Sequence, residues 1–503
     1  MRPYFCRDYL PERSRFQYKI NSFAGIDASS EPAALSFNTA CYGYNIAFCN
    51  GALINGPGIN EAEVRLSDGT QRIVPGLDNF ATGIKIPFLY RRYVASESRR
   101  DDRIVVLGTD KYLYQASVYS GSFARVPDIG KINDGFVSFC NYCLCGEDVL
   151  LILLRTGGMY VYNGASVQYY AGAPKLSAVC MHYERLFGAD AENASRLWYS
   201  NDLDPTDWQI ATNGAGYIDF MDEGGAILRV LSYKDAIYIF REHSIVRLTA
   251  YTDPSEYSLN KVYSTGSIID AESIVCSEGR VFFMADRYLY AFDGYSASRV
   301  FANLTALLGD TTYVNVCCFK NKLYVAAMLK TQEDYAGGDE DTAGGVRYNN
   351  GFFCVDLLTG DTSVFRGTSV RGFFPLVAQN ISELLVYFGN FRMARFGMLT
   401  ESGNLFGKTL HKLWENAGSV MGSLDKLKSL RRIWISSRYA AETIAKVDGC
   451  EKSMSAYGHL RPQMLPICLV GDTVKLKFRT QNDIMYISGL IMEFDTIRRY
   501  HAT

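Results

Sequence analysis

The side chains best equipped for chemistry are few and scattered. Histidine occurs at five positions only, His182, His243, His411, His459 and His501. No two stand at a metal-ligand spacing, and there is no H-E-x-x-H. A Ser-His-Asp set drawn from distant positions stays open, although no G-x-S-x-G elbow points to one. The densest thiol cluster is C-N-Y-C-L-C, with Cys140, Cys143 and Cys145, and the other close pair is Cys317 and Cys318. Zinc needs four ligands and the second pair lacks a matching spacing, so small buried thiols on a strand are the expected role. Carboxylates gather at Asp202, Asp204, Asp207, Asp219 and Asp222. A glycosidase needs two at a defined separation, and nothing in the sequence marks a pair. The stretch N-D-L-D-P-T-D-W, residues 201–208, reads as a turn anchored by a buried indole. The acidic run 333–341 lacks the alternating ligands of a calcium loop and reads as a solvated loop. No catalytic, cofactor-binding or metal-ligating residues are assigned, and no cofactor is expected.

The elements around these residues repeat. V-F-F-M-A-D-R-Y-L-Y-A-F-D-G, residues 281–294, is a hydrophobic strand, a turn, an aromatic strand and an Asp-Gly stop. Looser copies run over 105–114, 151–164 and 237–248. Candidate starts lie near Ile104, Leu150, Glu184, Ile237, Val281, Leu323 and Leu385, roughly 45 residues apart, close to one four-stranded blade. A hairpin of this kind cannot bury both faces alone, so copies must stack. The expectation is an all-β fold built on a β-propeller of six, seven or eight blades. An aromatic content of 14% and 44 glycines suit half-buried strands joined by tight turns.

Three sections follow. Residues 1–80, rich in Gly, Asn and Pro, read as an extended arm of short strands and turns packed on the main domain. Residues 81–405 are the propeller, with an exposed acidic, Gly-rich loop over 331–350 and one helical turn near 303–309. Residues 406–503 read as a separate small antiparallel β domain. There Val474, Leu476 and Phe478 alternate with Lys475, Lys477 and Arg479, one face buried and one wet. Trp198 and Trp208 are both expected in the core. A formal charge of −2 gives no bulk attraction to nucleic acid or anionic membrane. Thirteen scattered cysteines, a polar N-terminus and no apolar run beyond Val149 to Leu154 suggest a soluble protein made in a reducing cytoplasm, with no membrane span.

Three stretches in order resemble the propeller-bearing virion proteins of tailed bacteriophages, among them the tail stabilisation and tail nozzle (tail tubular protein B-like) proteins. Residues 23–58 are similar to their opening, which ends in N-G-x-L and a Gly-Pro turn. Residues 182–209 carry R-L-F followed by L-W-x-S and P-x-x-W, and residues 264–300 resemble a late blade ending in Y-x-F-D-G. The resemblance implies a non-enzymatic virion structural protein without cofactor, forming a homo-oligomeric ring, with a hexamer expected. That ring would continue the genome ejection channel below the portal and adaptor. Its implied partners are further copies of itself, adaptor or portal-proximal proteins, tail fibres or spikes, and double-stranded DNA passing without specific contacts. A host-receptor-binding or glycan-hydrolysing propeller at the tail tip is the rival expectation.

Overall fold

In the computed structural model the described residues are 13–65, 71–73, 83–119, 123–210, 214–251, 253–277, 279–309, 313–330, 349–388, 396–421, 426–458 and 461–498. The repeated hairpin supplies the middle of each blade. Arg103–Gly108 pairs antiparallel with Leu113–Ser117, Glu147–Leu154 with Met159–Tyr162, and Arg185–Asp190 with Arg196–Tyr199. Ala236–Arg241 pairs with Ser244–Thr249, Arg280–Ala285 with Tyr288–Phe292, Lys322–Ala327 with Gly351–Asp356, and Ile381–Tyr387 with Phe396–Thr400. All seven expected starts fall on or beside the first strand of these hairpins, so seven blades are seen among the described residues. The inner strands are Ile84–Tyr90, Val137–Leu144, Leu176–His182, Ile227–Tyr233, Val275–Ser277, Asn315–Phe319 and Gly372–Ala378. The last of these reaches the first, which closes the ring.

Burial explains why the middle strands stood out in the sequence. The second strand of each blade is mostly buried, and in Ala236–Arg241 every residue is. Val167–Tyr170 and Ala297–Val300, outer strands, contain no buried residue. Apolar clusters fill the seams. Leu107, Leu113, Leu150 and Ile152 pack between blades 1 and 2, and Phe240, Phe283 and Phe292 between blades 4 and 5. Phe352, Phe365, Phe373 and Val386 pack between blades 6 and 7. Among the described residues the one α-helical turn is Ala302–Thr305, beside four short 3-10 turns.

Sections 1–80 and 406–503, expected as an outer arm and a separate small domain, instead share both sheets of one sandwich. In one sheet Ala52–Asn55 and Arg13–Ile20 pair with Tyr486–Arg498, which continues to Lys426–Ser437 and Gln463–Gly471. In the other Thr39–Tyr44 pairs with Lys412–Asn416, followed by Val474–Thr480, Ala440–Val447 and Cys450–Tyr457. Phe23, Trp414 and Phe478 meet in the sandwich core, with ring centroids 5.2–6.2 Å apart. The first sheet runs on into blade 6, because Ile46–Cys49 pairs with Thr362–Arg366. Gly58–Glu61 then becomes the fourth strand of blade 7. Pairing over more than 300 residues leaves no local sequence signal, which is why this section read as an arm.

Asn45 fastens that junction. It is fully buried in the left-handed region at φ 54°, a conformation asparagine tolerates better than most residues. Its Nδ2 donates to the His411 carbonyl at 2.8 Å, and its Oδ1 accepts from the Arg366 amide at 2.7 Å. The main part of the acidic loop, 331–348, lies outside the described residues. Its base is held by Asn350, whose side chain accepts from the Leu329 amide and donates to the Leu329 carbonyl.

Two substitutions probe this frame. Asn45→Ala leaves two buried backbone groups unpaired and keeps the unfavourable φ, so urea unfolding should show a loss of about 3 kcal/mol or more. Asn45→Gly should lose about 1 kcal/mol less. Equal losses would rule out a conformational contribution. Of the two tryptophans expected in the core, Trp208 is buried but Trp198 only half-buried. Trp208→Ala should therefore cost about 3–5 kcal/mol and Trp198→Ala about 1–2 kcal/mol, and the reverse order in chemical denaturation would contradict this placement.

Candidate functional site

The turns between first and second strands and between third and fourth strands emerge on one face of a propeller. On that face, between blades 3 and 4, they frame a cleft of about 510 Å³. The blade 3 hairpin turn contributes Tyr183 and Glu184, closed by the pairing of His182 with Arg185. Tyr183 has φ 52°, rare for a bulky residue, and is 50% exposed. From blade 4 the loop after Ser244–Thr249 brings Tyr251, 56% exposed, then Asp253 and Tyr257. Tyr183 and Tyr251 touch, with centroids 6.3 Å apart, and His182 lies 4.4 Å from Tyr183. Phe187, Tyr199 and Tyr257 form a second aromatic group, with centroids 5.4–6.2 Å apart.

Polar groups are fixed around these rings. Arg185 is buried, donates through Nη1 to the Ser200 carbonyl at 3.1 Å and to the Gly214 carbonyl, and faces the Tyr199 ring. A Cβ at position 214 would meet Asn201 Oδ1 at 1.7 Å, so any other residue there displaces the Asn201 side chain from Asp207. Asp253 caps the turn that follows by accepting from the Ser255 amide at 2.8 Å, which holds its carboxyl below the usual range. Burial pushes the Tyr257 phenol up to about 12 and drives the His182 imidazole downward. His182 Nδ1 is 2.9 Å from Ser232 Oγ, while Nε2 finds no partner among the described residues.

Four of the five aspartates singled out in the sequence have other work. Asp204 accepts from Thr206, and Asp207 accepts from Asn201 Nδ2 at 3.0 Å. Asp219 takes a bidentate contact from Arg196 at 2.7 and 2.8 Å, and Asp222 is shared by Arg241 and Lys261. Asp202 alone is exposed at the cleft. Trp208 Nε1 donates to the Pro205 carbonyl and Trp198 Nε1 to Asp190, so the 201–208 stretch is a turn with an indole anchor. Cys140 is buried, its thiol pushed up to about 12, while Cys143 and Cys145 are exposed. Among the described residues no three His, Cys, Asp or Glu side chains are placed to hold a metal ion, and no helix is long and apolar enough to cross a membrane. His411 pairs with Gln481, and His459 and His501 lie outside the described residues. The basic face of Val474–Thr480 is matched within the sandwich: Lys475 and Lys477 meet Glu415, and Arg479 meets Glu442. Burial lowers Lys412 to about 8, and its ammonium is tied to the Leu410 and Asn482 carbonyls.

Tyr183, Arg185 and Tyr251 were not legible as a group, because two blades supply them. A trace was available: aromatic residues occupy turn positions where Gly, Asn or Asp is usual.

No family model matches the chain, and no curated protein matches it. Among solved structures it is similar to BBS1N in complex with ARL6DN, at 11% identity and TM-score 0.41, covering 64% of this chain and 98% of that one. The Pan2 WD40 domain of Neurospora crassa gives 11% identity and 0.37, covering 59% and 85%. YCF48 from Cyanidioschyzon merolae gives 10% and 0.33, covering 44% and 76%. The propeller architecture rests on strand pairing and ring closure, not on these likenesses.

The lowered His182 sets a direction for pH. As pH falls below about 6.5 the unfolded chain takes up the proton first, so this residue's contribution to stability is lost as pH falls through its folded value. Melting temperatures taken from about pH 7 to pH 5 should fall more steeply for the wild type than for His182→Gln. Parallel curves would show that His182 is not held neutral by burial.

Proposed function

We propose that this chain is a non-catalytic structural subunit of a bacteriophage tail, a nozzle or hub protein that assembles as a ring of six copies. The observation that carries the proposal is the weaving of both chain ends into one sandwich continuous with blade 6, with Gly58–Glu61 completing blade 7. A subunit in a channel wall must transmit force without its domains swinging, and a shared sheet is stiffer than a linker. The order of the three phage-like stretches gives the same reading.

The sandwich edges suit ring assembly. Gln463–Gly471, Cys450–Tyr457 and Arg13–Ile20 each pair on one side only among the described residues. Tyr457, Met464 and Val470 on the first two strands are exposed. An open edge with apolar side chains is a template for pairing with another chain, and a closed ring needs two different patches meeting head to tail. In this reading the protein is synthesised in the host cytoplasm and resides in the virion tail. It would contact adaptor or portal-proximal proteins and fibres or spikes, with double-stranded DNA passing the lumen without specific binding.

Native mass spectrometry and negative-stain microscopy of the full chain, with immunolabelling of purified virions, provide the test. Rings of uniform copy number, six expected, and label at the tail are the predicted results. Met464→Asp with Val470→Asp should shift rings to monomers without lowering the melting temperature. A monomer at tens of micromolar that is absent from virions would end the proposal.

A further inference from the structure

We propose that the cleft between blades 3 and 4 is a binding site for a neutral glycan, with Tyr183 and Tyr251 as the stacking platform. The inference does not depend on ring assembly and assigns a ligand to a face that the structural role leaves unused.

The platform is defined by ring geometry. Tyr183 and Tyr251 lie in contact at 6.3 Å and are tilted by 42°, so no slot opens between them for an ammonium group. They present instead two half-exposed aromatic faces in a cleft lined by both polar groups and the apolar Phe187, Ala250 and Pro254. Two exposed aromatic rings on adjoining loops expend apolar surface on water, which favours a ligand that covers them. A pyranose offers such a cover, with one face of C–H groups and an edge of hydroxyls.

Charge narrows the class. Glu184, Asp202 and Asp253 line the cleft, and carboxylates there oppose an anionic ligand while accepting hydrogen bonds from hydroxyls. Arg185, buried in the same wall with its Nη1 on two backbone carbonyls, offsets part of that negative charge. A neutral, polyhydroxylated ligand donates to the carboxylates while its C–H face covers the rings, and a cationic ligand is the alternative that the peptide arm below tests. A volume of about 510 Å³ falls in the range of small-ligand sites and exceeds what a single ion requires.

The experiment is an array of neutral pyranose oligosaccharides (gluco-, galacto-, manno- and N-acetylhexosamine series), with a uronic acid series and an arginine-rich peptide as separate arms. Affinity is then measured by saturation-transfer NMR on the best ligand. Binding to a neutral glycan should weaken about tenfold or more in Tyr183→Ala and in Tyr251→Ala. It should survive in Tyr183→Phe, which keeps the stacking face, and in Tyr457→Ala, which lies on the sandwich. Both tyrosines are exposed, so unchanged melting temperatures should accompany the losses. No neutral glycan above background, binding unaffected by both alanine variants, or binding only to the acidic glycans or the peptide would each overturn the proposal.

Discussion

The arrangement depends on one constraint: strand Ile46–Cys49 must pair with blade 6 on one side and with the sandwich on the other. Asn45, immediately before it, enforces this from both directions. Its carboxamide satisfies a carbonyl near the start of the C-terminal section and an amide at the end of blade 6. Because the residue is fully buried, neither group has water as an alternative, and unpaired polar groups in such a place cost far more than a net hydrogen bond contributes. Release of this residue would uncouple the last blades from both chain ends together.

The propeller is the more modular part. Its seams are filled from both sides by middle strands, so each blade is stable only against its neighbours, as in other repeat architectures. Ring closure therefore carries unusual weight. Blade 7 obtains its fourth strand from Gly58–Glu61, far upstream, and the parallel bridge of Leu405 to Ile59 ties the exit of the propeller to that same strand. The N-terminal section thus completes the ring it precedes in sequence.

What could be read from the sequence follows from how local each signal is. The V-F-F-M-A-D-R-Y-L-Y-A-F-D-G hairpin was visible because two strands buried on both faces give adjacent apolar runs with a turn between them. The outer strand Ser258–Ser264, half-wet and polar, gives no such run, so blade boundaries and blade number stayed open. Val474–Thr480 was legible because its alternation is intact, yet the use of Lys475 and Lys477 was not, since Glu415 comes from a strand some 60 residues away. Trp198 shows the limit of a residue-type rule. An indole on a strand suggests a core position, but this one is half-buried, bonded to Asp190 and packed near Tyr217 and Arg196. The cleft left only a trace, aromatic residues in turns, because its two halves are loops from separate repeats.

The same modularity explains how the chain can hold a structural surface and a ligand surface without conflict. In a ring of seven, the seam between blades 3 and 4 lies across from blade 7, while the sandwich continues from blade 6. Contacts made through the sandwich edges therefore leave the cleft open. The cleft floor is also set by packed blades: Phe187 belongs to the apolar cluster between blades 3 and 4, and Arg185 is held by two backbone carbonyls. A site positioned this way needs little reordering on binding, so more of each contact appears as affinity. In the proposed roles, rigidity that would serve assembly on one side of the ring would thereby serve recognition on the other.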